Sequence, residues 1–499
     1  MGQVDTTQYM PSSPPRRRRR VRVALLLLAA MFGVWFGRFA WLRITLEPTP
    51  RPHHYEALIL ALDPAPDDPA IAEQAMDLLS FPPWVWDEAP TDFFSGVDVS
   101  TRPAVAAIVP NRHLDITTVL QGPWDANRPD MAAATAIFSW DEFEKARRTM
   151  GELAMTGWRE RLDLSTGLLP SIGAYRTWSR WLVAHSRWVR ETRGDPAIAV
   201  EDWLIALRLA RQLHRLQLLL PQMVASGMER DVASEMRLAV IEGIGEVDTA
   251  ALFRDVDAIL APLEPPSQVL EGERLWLHHC LESAFVREGG DWLAVGTAAE
   301  SAYWGVGSPP TDSQVCRLWN LTSPLFHNLA TARANVDAYI ASLNVCTDIA
   351  ICQQTVRLDS GKVLPPPGAL DGFIRLASGY GCPLVDYNIS ALKFAYMVRC
   401  ELDAAVTMLA LEEYCRDAGC YPESLDQLVP HDMHRLPVDY GDRQTLRYLL
   451  DGHRCILYSV GLNGVDDGGV DTGRRPEDFD DNENLDILFS GPRREGLTE

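Results

Sequence analysis

The stretch that decides the fold is Glu201–Leu220, Glu-Asp-Trp-Leu-Ile-Ala-Leu-Arg-Leu-Ala-Arg-Gln-Leu-His-Arg-Leu-Gln-Leu-Leu-Leu. Its apolar side chains recur at three- and four-residue intervals, which is the pattern of an amphipathic helix. Gly194-Asp195-Pro196 stands before it, and this order suits a helix start with Asp as the cap and Pro in the first turn. The same periodicity predicts further helices at 143–161, 175–193, 222–242, 249–260 and 270–287.

No strand pattern separates these helices, so we expect residues 131–385 to form an all-α helical domain, with a loop-rich connection that contains short helices after about residue 288. Helical repeats of about 34 residues would be one way to stack the helices, but no motif recurs at a fixed period. Prolines crowd residues 43–130, which predicts a Pro-rich juxtamembrane region of short elements, among them a helix at Ile71–Leu79.

A membrane anchor is predicted near the first residues. Six arginines at positions 16–22 precede Val23–Leu42, an apolar run of 20 residues whose only charge is Arg38. Twenty helical residues rise about 30 Å, the thickness of a bilayer core. Because basic clusters stay on the cytoplasmic side, we expect a cytoplasmic basic tail at 1–22, a transmembrane helix at 23–42 and the rest of the chain outside the cytoplasm.

Two other interpretations of this end were weighed. A cleavable signal peptide needs a small-residue cleavage site, and Phe39–Arg43 offers no such pattern. A nucleic-acid partner is not expected, because the formal net charge is −22 and the arginine cluster adjoins the apolar run. The partners predicted here are therefore the lipid bilayer and a protein, not a nucleic acid.

The last 114 residues, 386–499, predict a small α+β head. A long helix over Asp386–Ala418 is closed by Gly419, a residue type favoured just past a helix end. Two apolar runs, Leu446–Leu450 and Cys455–Val460, flank Asp451-Gly452, which is typical of a β-hairpin.

The order of motifs in this head resembles a known family. Leu411–Val429, which contains Gly419-Cys420-Tyr421-Pro422, is followed by Leu436–Asp439, by Leu457–Gly469 and by Asp486-Ile487. Together they resemble the globular head of the type II secretion major pseudopilins. The resemblance implies a link to secretion or pilus-like machinery in a bacterial inner membrane. The whole chain looks like bacterial single-span proteins that carry such a head behind a helical domain, without pilin processing.

A calcium site is the best candidate for a functional site. Residues 463–486 contain nine Asp or Glu, and crowded carboxylates on Gly-rich loops suit Ca²⁺, which takes six to eight oxygen ligands. In the resembling family this loop closes around calcium, which implies ligands at Val460, Asn463 and Asp486, with Asp466 and Asp467 nearby. An EF-hand does not fit, since Leu485 stands where Gly is needed. The alternative is an ordinary solvated acidic loop.

No catalytic motif appears in the sequence: it lacks His-Glu-x-x-His, Gly-x-Ser-x-Gly, a phosphate-binding Gly loop and Cys-x-x-Cys. His278-His279-Cys280 is not expected to bind one metal ion, because adjacent helical residues point about 100° apart. Nine cysteines fit a compartment where disulfides persist, and Cys415 with Cys420, or Cys346 with Cys352, are candidate pairs. We therefore expect a membrane-anchored extracytoplasmic scaffold or interaction protein. The alternative is an envelope hydrolase whose site is spread through the helical domain.

Overall fold

A computed structural model gives the architecture of the chain. It describes residues 54–62, 68–79, 119–120, 124–158, 172–242, 247–260, 266–287, 329–344, 383–451, 454–461, 463–469 and 486–489, with short pieces at 33–34, 37, 97–98, 113–114 and 291–293. These residues are mainly helical and include one small sheet of three strands. Most of the predicted membrane segment Val23–Leu42 lies outside them, and its three described residues are helical. None of the helices in the described ranges has both the length and the apolarity needed to cross a bilayer.

The described helices are numbered along the chain. They are α1 (His54–Leu60), α2 (Pro69–Leu79), α3 (Pro129–Phe138), α4 (Asp141–Thr156), α5 (Ile172–Trp188), α6 (Pro196–His214), α7 (Leu219–Glu242), α8 (Thr249–Leu260), α9 (Pro266–Ala284), α10 (Leu329–Asn344) and α11 (Pro383–Ala418). The six helices expected from periodicity at 143–287 are thus confirmed, with ends that differ by a few residues. The helix α10 falls in the part expected to be loop-rich, and its periodicity was not recognised.

Local sequence explains where the central helix begins. The carboxylate of Asp195 accepts a hydrogen bond from the Ile198 backbone N–H at 3.3 Å, and Pro196 occupies the first helical position. Gly194 lies just before it with φ +64°, a left-handed conformation that glycine adopts without steric cost. A five-residue π-helical turn, Val189–Arg193, joins α5 to this glycine. The predicted cap and start are confirmed, whereas the π-turn was not foreseen.

The helix α6 is the centre of the fold. It packs against α4, α5, α7 and α8, and its buried residues include Asp202, Trp203 and Ile205, which project in different directions. A helix surrounded in this way needs apolar residues on most of its circumference. The amphipathic pattern of Glu201–Leu220 therefore describes only part of a helix that is buried on nearly all sides.

The helical region and the head share one hydrophobic core. The helix α11 runs along α7, touches α8, and packs against the hairpin on another side. Apolar side chains from α2, α4–α8, α11 and the segment 425–489 form one continuous cluster, which includes Leu207, Met236, Leu409 and Leu457. The helix that opens the head is therefore also a structural helix of the central bundle.

The head contains the three-stranded antiparallel sheet. Its strands are β5 (Arg447–Asp451), β6 (Arg454–Ser459) and β7 (Ile487–Leu488), in the order β5-β6-β7. The hairpin register places Tyr448 opposite Leu457 and Leu450 opposite Cys455, as a two-residue turn requires. The predicted hairpin is confirmed. Earlier in the chain, β1 (Val97–Asp98) pairs with β2 (His113–Leu114), and β3 (Phe285–Arg287) pairs with β4 (Asp291–Leu293).

Candidate functional site

Asp439 holds the start of the acidic loop in place through hydrogen bonds. It is fully buried, and its carboxylate accepts hydrogen bonds from the Val460 N–H at 2.9 Å, the Ser459 hydroxyl at 2.7 Å and the Gly441 N–H at 2.9 Å. Burial raises the pKa of Asp439, and these hydrogen bonds oppose the rise. Gly441 is required here, since a Cβ would lie 2.4 Å from the Gly461 carbonyl oxygen. Asp439 thus ties the end of β6 to the preceding turn.

The loop that follows β6 positions the predicted ligands. Val460 is fully buried at its start. The side chain of Asn463 accepts a hydrogen bond from the Val465 N–H at 3.0 Å, so it caps its own turn. Asp466 accepts from the Gly468 N–H and from the Tyr458 hydroxyl, both at 3.0 Å. Asn463 and Asp466 are therefore already engaged in holding the loop.

Asp486 is the carboxylate that the loop surrounds. Its residue is 7% exposed, and its Oδ2 accepts a hydrogen bond from the Gly469 N–H at 2.8 Å. Its Oδ1 is buried, and none of the described residues gives it a hydrogen bond. Burial raises the pKa of Asp486, the negative charges of Asp466 and Asp467 add to the rise, and backbone N–H groups oppose it.

The chemistry of these residues fits a hard cation in part. A buried carboxylate oxygen without a partner is costly, and a cation would satisfy it. In the described residues, however, no three His, Cys, Asp or Glu side chains are close enough to share one metal ion. Asp486, Asp466 and Asp467 interact electrostatically, while Asn463 caps its own turn. Bringing them onto one ion would require the loop to close further.

A second polar cluster, the Asp257 cluster, joins the head to the helical region. The Arg435 guanidinium reaches both Asp403 oxygens at 3.0 and 3.1 Å, and its Nη2 lies 2.7 Å from Asp257 Oδ1. His434 Nε2 lies 2.8 Å from the other Asp257 oxygen, and Arg399 Nη2 lies 3.1 Å from Oδ1. Burial acts to raise the pKa of Asp257, but the hydrogen bonds from Arg435 and His434 lower it. This cluster connects α8, α11 and the segment before β5.

A third cluster lies inside the helical region and bears on the hydrolase alternative. His185 Nδ1 lies 2.6 Å from Asp202 Oδ2, and Arg147 Nη1 lies 3.0 Å from Asp202 Oδ1. Asp202 is fully buried, and burial raises its pKa against the opposing effect of His185 and Arg147. The imidazole ring packs among aromatic rings, with Phe138 at 5.0 Å between centroids. The neighbouring Ser186 hydroxyl donates to the Val183 carbonyl and does not approach the imidazole as a nucleophile would.

Sequence reasoning missed this cluster because its members lie on three different helices. Two other buried groups of charged residues also join different elements and were missed. Glu235 accepts hydrogen bonds from both Arg187 and Arg190, and His214 Nε2 lies 2.8 Å from Glu229 Oε1. Charged residues on a helix predict solvent exposure, and only the three-dimensional arrangement shows that these are paired and buried.

The remaining sequence candidates lie apart from these clusters. His278 Nε2 is 3.0 Å from Asp337, whereas His279 packs edge-on against Tyr55, so the two histidines point to different partners. Cys415 and Cys420 are thiols in the structure and are not joined to each other. The pair Cys346 and Cys352 lies outside the described residues.

Comparison of the chain with models of known protein families, with curated proteins and with solved structures gives no match.

Proposed function

We propose that this protein is a membrane-anchored extracytoplasmic scaffold of the bacterial envelope whose head binds Ca²⁺. The anchor is proposed from the arginine cluster before Val23–Leu42, and the link to secretion or pilus-like machinery from the resemblance of the head. The observation that carries the calcium site is the buried Asp486 Oδ1, for which the described residues provide no hydrogen-bond partner. A cation would satisfy this oxygen and relieve the repulsion from Asp466 and Asp467.

The role of the cation would be to close the head. Asp486 precedes β7, whereas Asp466 and Asp467 belong to the loop after β6, so an ion held by both would link the end of β6 to the start of β7 at one end of the sheet. A ligand that binds only the folded state adds stability by mass action, about 2.7 kcal/mol at a hundredfold excess over the dissociation constant. A head stabilised in this way would present a fixed surface to a protein partner.

The test is calorimetric titration of Ca²⁺ into the full chain in detergent, with melting curves in Ca²⁺ and in chelator. We expect binding and a higher melting temperature for the wild type, and a loss of both effects in Asp486→Asn. The matched control is Asp426→Asn, which removes an exposed aspartate of the same head and should behave as the wild type. Equal melting temperatures of the wild type in Ca²⁺ and in chelator would refute the calcium site.

The scaffold role has its own test. Cross-linking in cells followed by purification from solubilised membranes should recover an envelope protein with the wild type, and less of it with Asp486→Asn or in chelator. Recovery that is the same in all samples would contradict a partner surface shaped by the ion.

The second candidate function is an envelope hydrolase. The observation that favours it is the 2.6 Å contact of His185 with Asp202, which matches the base and orienting carboxylate of a catalytic triad. The test is labelling of the intact protein by a serine-reactive phosphonate probe, compared with His185→Ala. Labelling that requires His185 would support the hydrolase, and the absence of labelling would argue against a serine nucleophile.

A further inference from the structure

We propose that two copies of this chain associate through the outer edge of β5 and form a continuous six-stranded sheet. The inference rests on the proposed scaffold role and deepens it, because it names a second copy of the chain as one partner. It does not depend on the calcium site. The observations that carry it are the direction of the backbone hydrogen-bonding groups of β5, its exposed leucines and its charge pattern.

The hydrogen bonds of the sheet determine which backbone groups of β5 face outward. The Phe489 N–H donates to the Leu457 carbonyl, so the polar groups of Leu457 face β7. Those of the next residue, Tyr458, must then face β5 and pair with Arg447. Alternation along the strand turns the N–H and C=O groups of Tyr448 and Leu450 away from β6.

The start of the strand confirms this direction. The Leu446 N–H points to the outer side, where it donates to the Pro437 carbonyl at 3.2 Å. Because backbone groups alternate between the two sides along a strand, the N–H and C=O groups of Tyr448 and Leu450, two and four residues later, also point to the outer side. Within the described residues, no strand pairs with β5 on that side. The strand has no lysine or proline, and its two charged residues, Arg447 and Asp451, are of opposite sign.

Two exposed leucine side chains lie on β5, next to its outer edge. Leu449 is 41% exposed and Leu450 is 43% exposed, and they lie on opposite faces of the sheet. Leu450 shares the face of Leu457, which packs into the core, whereas Leu449 shares the face of Arg447. A partner strand would therefore cover one exposed leucine on each face.

The sequence of β5 is complementary to itself when two copies pair antiparallel. A register centred on Leu449 places Tyr448 opposite Leu450 of the second copy, so that their outward groups form four backbone hydrogen bonds. The same register places Arg447 opposite Asp451 of the second copy, and this opposite-charge pair occurs twice. Arg447 already contacts Asp442, Asp439 at 3.5 Å and Asp466 at 3.7 Å, so Asp451 of the second copy would join an existing group of carboxylates, and the pairing depends mainly on the four backbone hydrogen bonds.

The primary test measures the mass of the full chain in detergent, at about 0.15 M salt so that the long-range repulsion between two acidic chains is screened. We expect a dimer for the wild type. Leu449→Lys should raise the dissociation constant at least about tenfold, because two like charges would then face each other at the twofold axis. The control is Met155→Lys, which changes a 72% exposed residue on α4 and should leave the dimer intact.

A cross-linking variant keeps the inference testable even if Leu449→Lys unfolds. In the proposed register the two copies of residue 449 form a non-hydrogen-bonded pair with Cα atoms about 4.5 Å apart, within disulfide range. Leu449→Cys should therefore give a covalent dimer on mild oxidation, beyond any formed by the wild type, whereas Met155→Cys should not. A monomeric wild type, or a dimer that neither Leu449 variant affects, would overturn the inference. Calcium titration of the monomeric variant then tests the calcium site separately.

Discussion

Replacing Arg435 by alanine should cost the protein much of its stability. Its guanidinium makes a two-pronged contact with Asp403, which is 2% exposed, and bridges to Asp257 on α8. Breaking a buried pair by removing one partner costs about 3–5 kcal/mol. Because Asp403 would keep Arg399 at 3.4 Å, we expect the lower end, about 3 kcal/mol. The entropy of unfolding grows with chain length, so at about 1–2 °C per kcal/mol for a chain of this size the melting temperature should fall by roughly 3–6 °C.

The assay is thermal unfolding followed by circular dichroism, with Arg443→Ala as the matched control. Arg443 is exposed and stacks on Tyr396 and Tyr440 at 5.3 and 5.6 Å, so its loss should cost less than about 1 kcal/mol. Arg435→Lys should recover only part of the stability, because an ammonium group cannot contact both carboxylates with a planar fork. Equal melting temperatures for the two alanine variants would refute the view that this cluster fastens the head to the bundle.

Two further predictions concern Gly272 and Glu273 on α9, which pack against Gln217 and Leu219 at the start of α7. Burial raises the pKa of Glu273 to about 7, and a hydrogen bond from the Leu219 N–H opposes the rise. The native state thus binds this proton more tightly than the unfolded chain, so the free energy of unfolding falls as pH rises from about 4.5 to 7. Glu273→Gln should therefore be more stable than the wild type at pH 8, by an amount on the order of 3 kcal/mol. This gain in stability should vanish near pH 4.5. A gain that does not change with pH would contradict the raised pKa of Glu273. Gly272→Ala should destabilise the protein strongly, since the added Cβ would lie 1.8 Å from the Gln217 carbonyl oxygen. The control is Gly227→Ala, whose Cβ would meet nothing within 4 Å and which should stabilise the helix by about 0.5–1 kcal/mol. The melting temperatures of the two variants should move in opposite directions.

The helices were predictable because their signals are local. The limits of Thr249–Leu260 were predicted without error, and the cap at Asp195 follows from three neighbouring residues. The bounds of helix α10 were not predicted, because Pro and Gly clusters on both sides of it indicate only loops with short helices between them. The burial of Asp202 was also missed, because its partners His185 and Arg147 belong to other helices and no spacing along the chain relates them.

The candidate site was predictable only in part. Sequence placed Asp466, Asp467 and Asp486 in one acidic region, and the structure brings their charges together. The sequence did not indicate that Asn463 would cap its own turn, nor that Asp439 would accept a hydrogen bond from Val460 at the start of the loop. Both depend on the path of the backbone after β6, which side-chain composition does not determine.

The measurement that tests the central claim most directly is the location of the head. Two fusions after Glu499 suffice, one to a reporter that is active only in the cytoplasm and one to a reporter that is active only outside it. The account predicts activity of the second alone, and loss of membrane association when residues 23–42 are deleted. Strong activity of the cytoplasmic reporter with none from the other would contradict the anchored, extracytoplasmic scaffold.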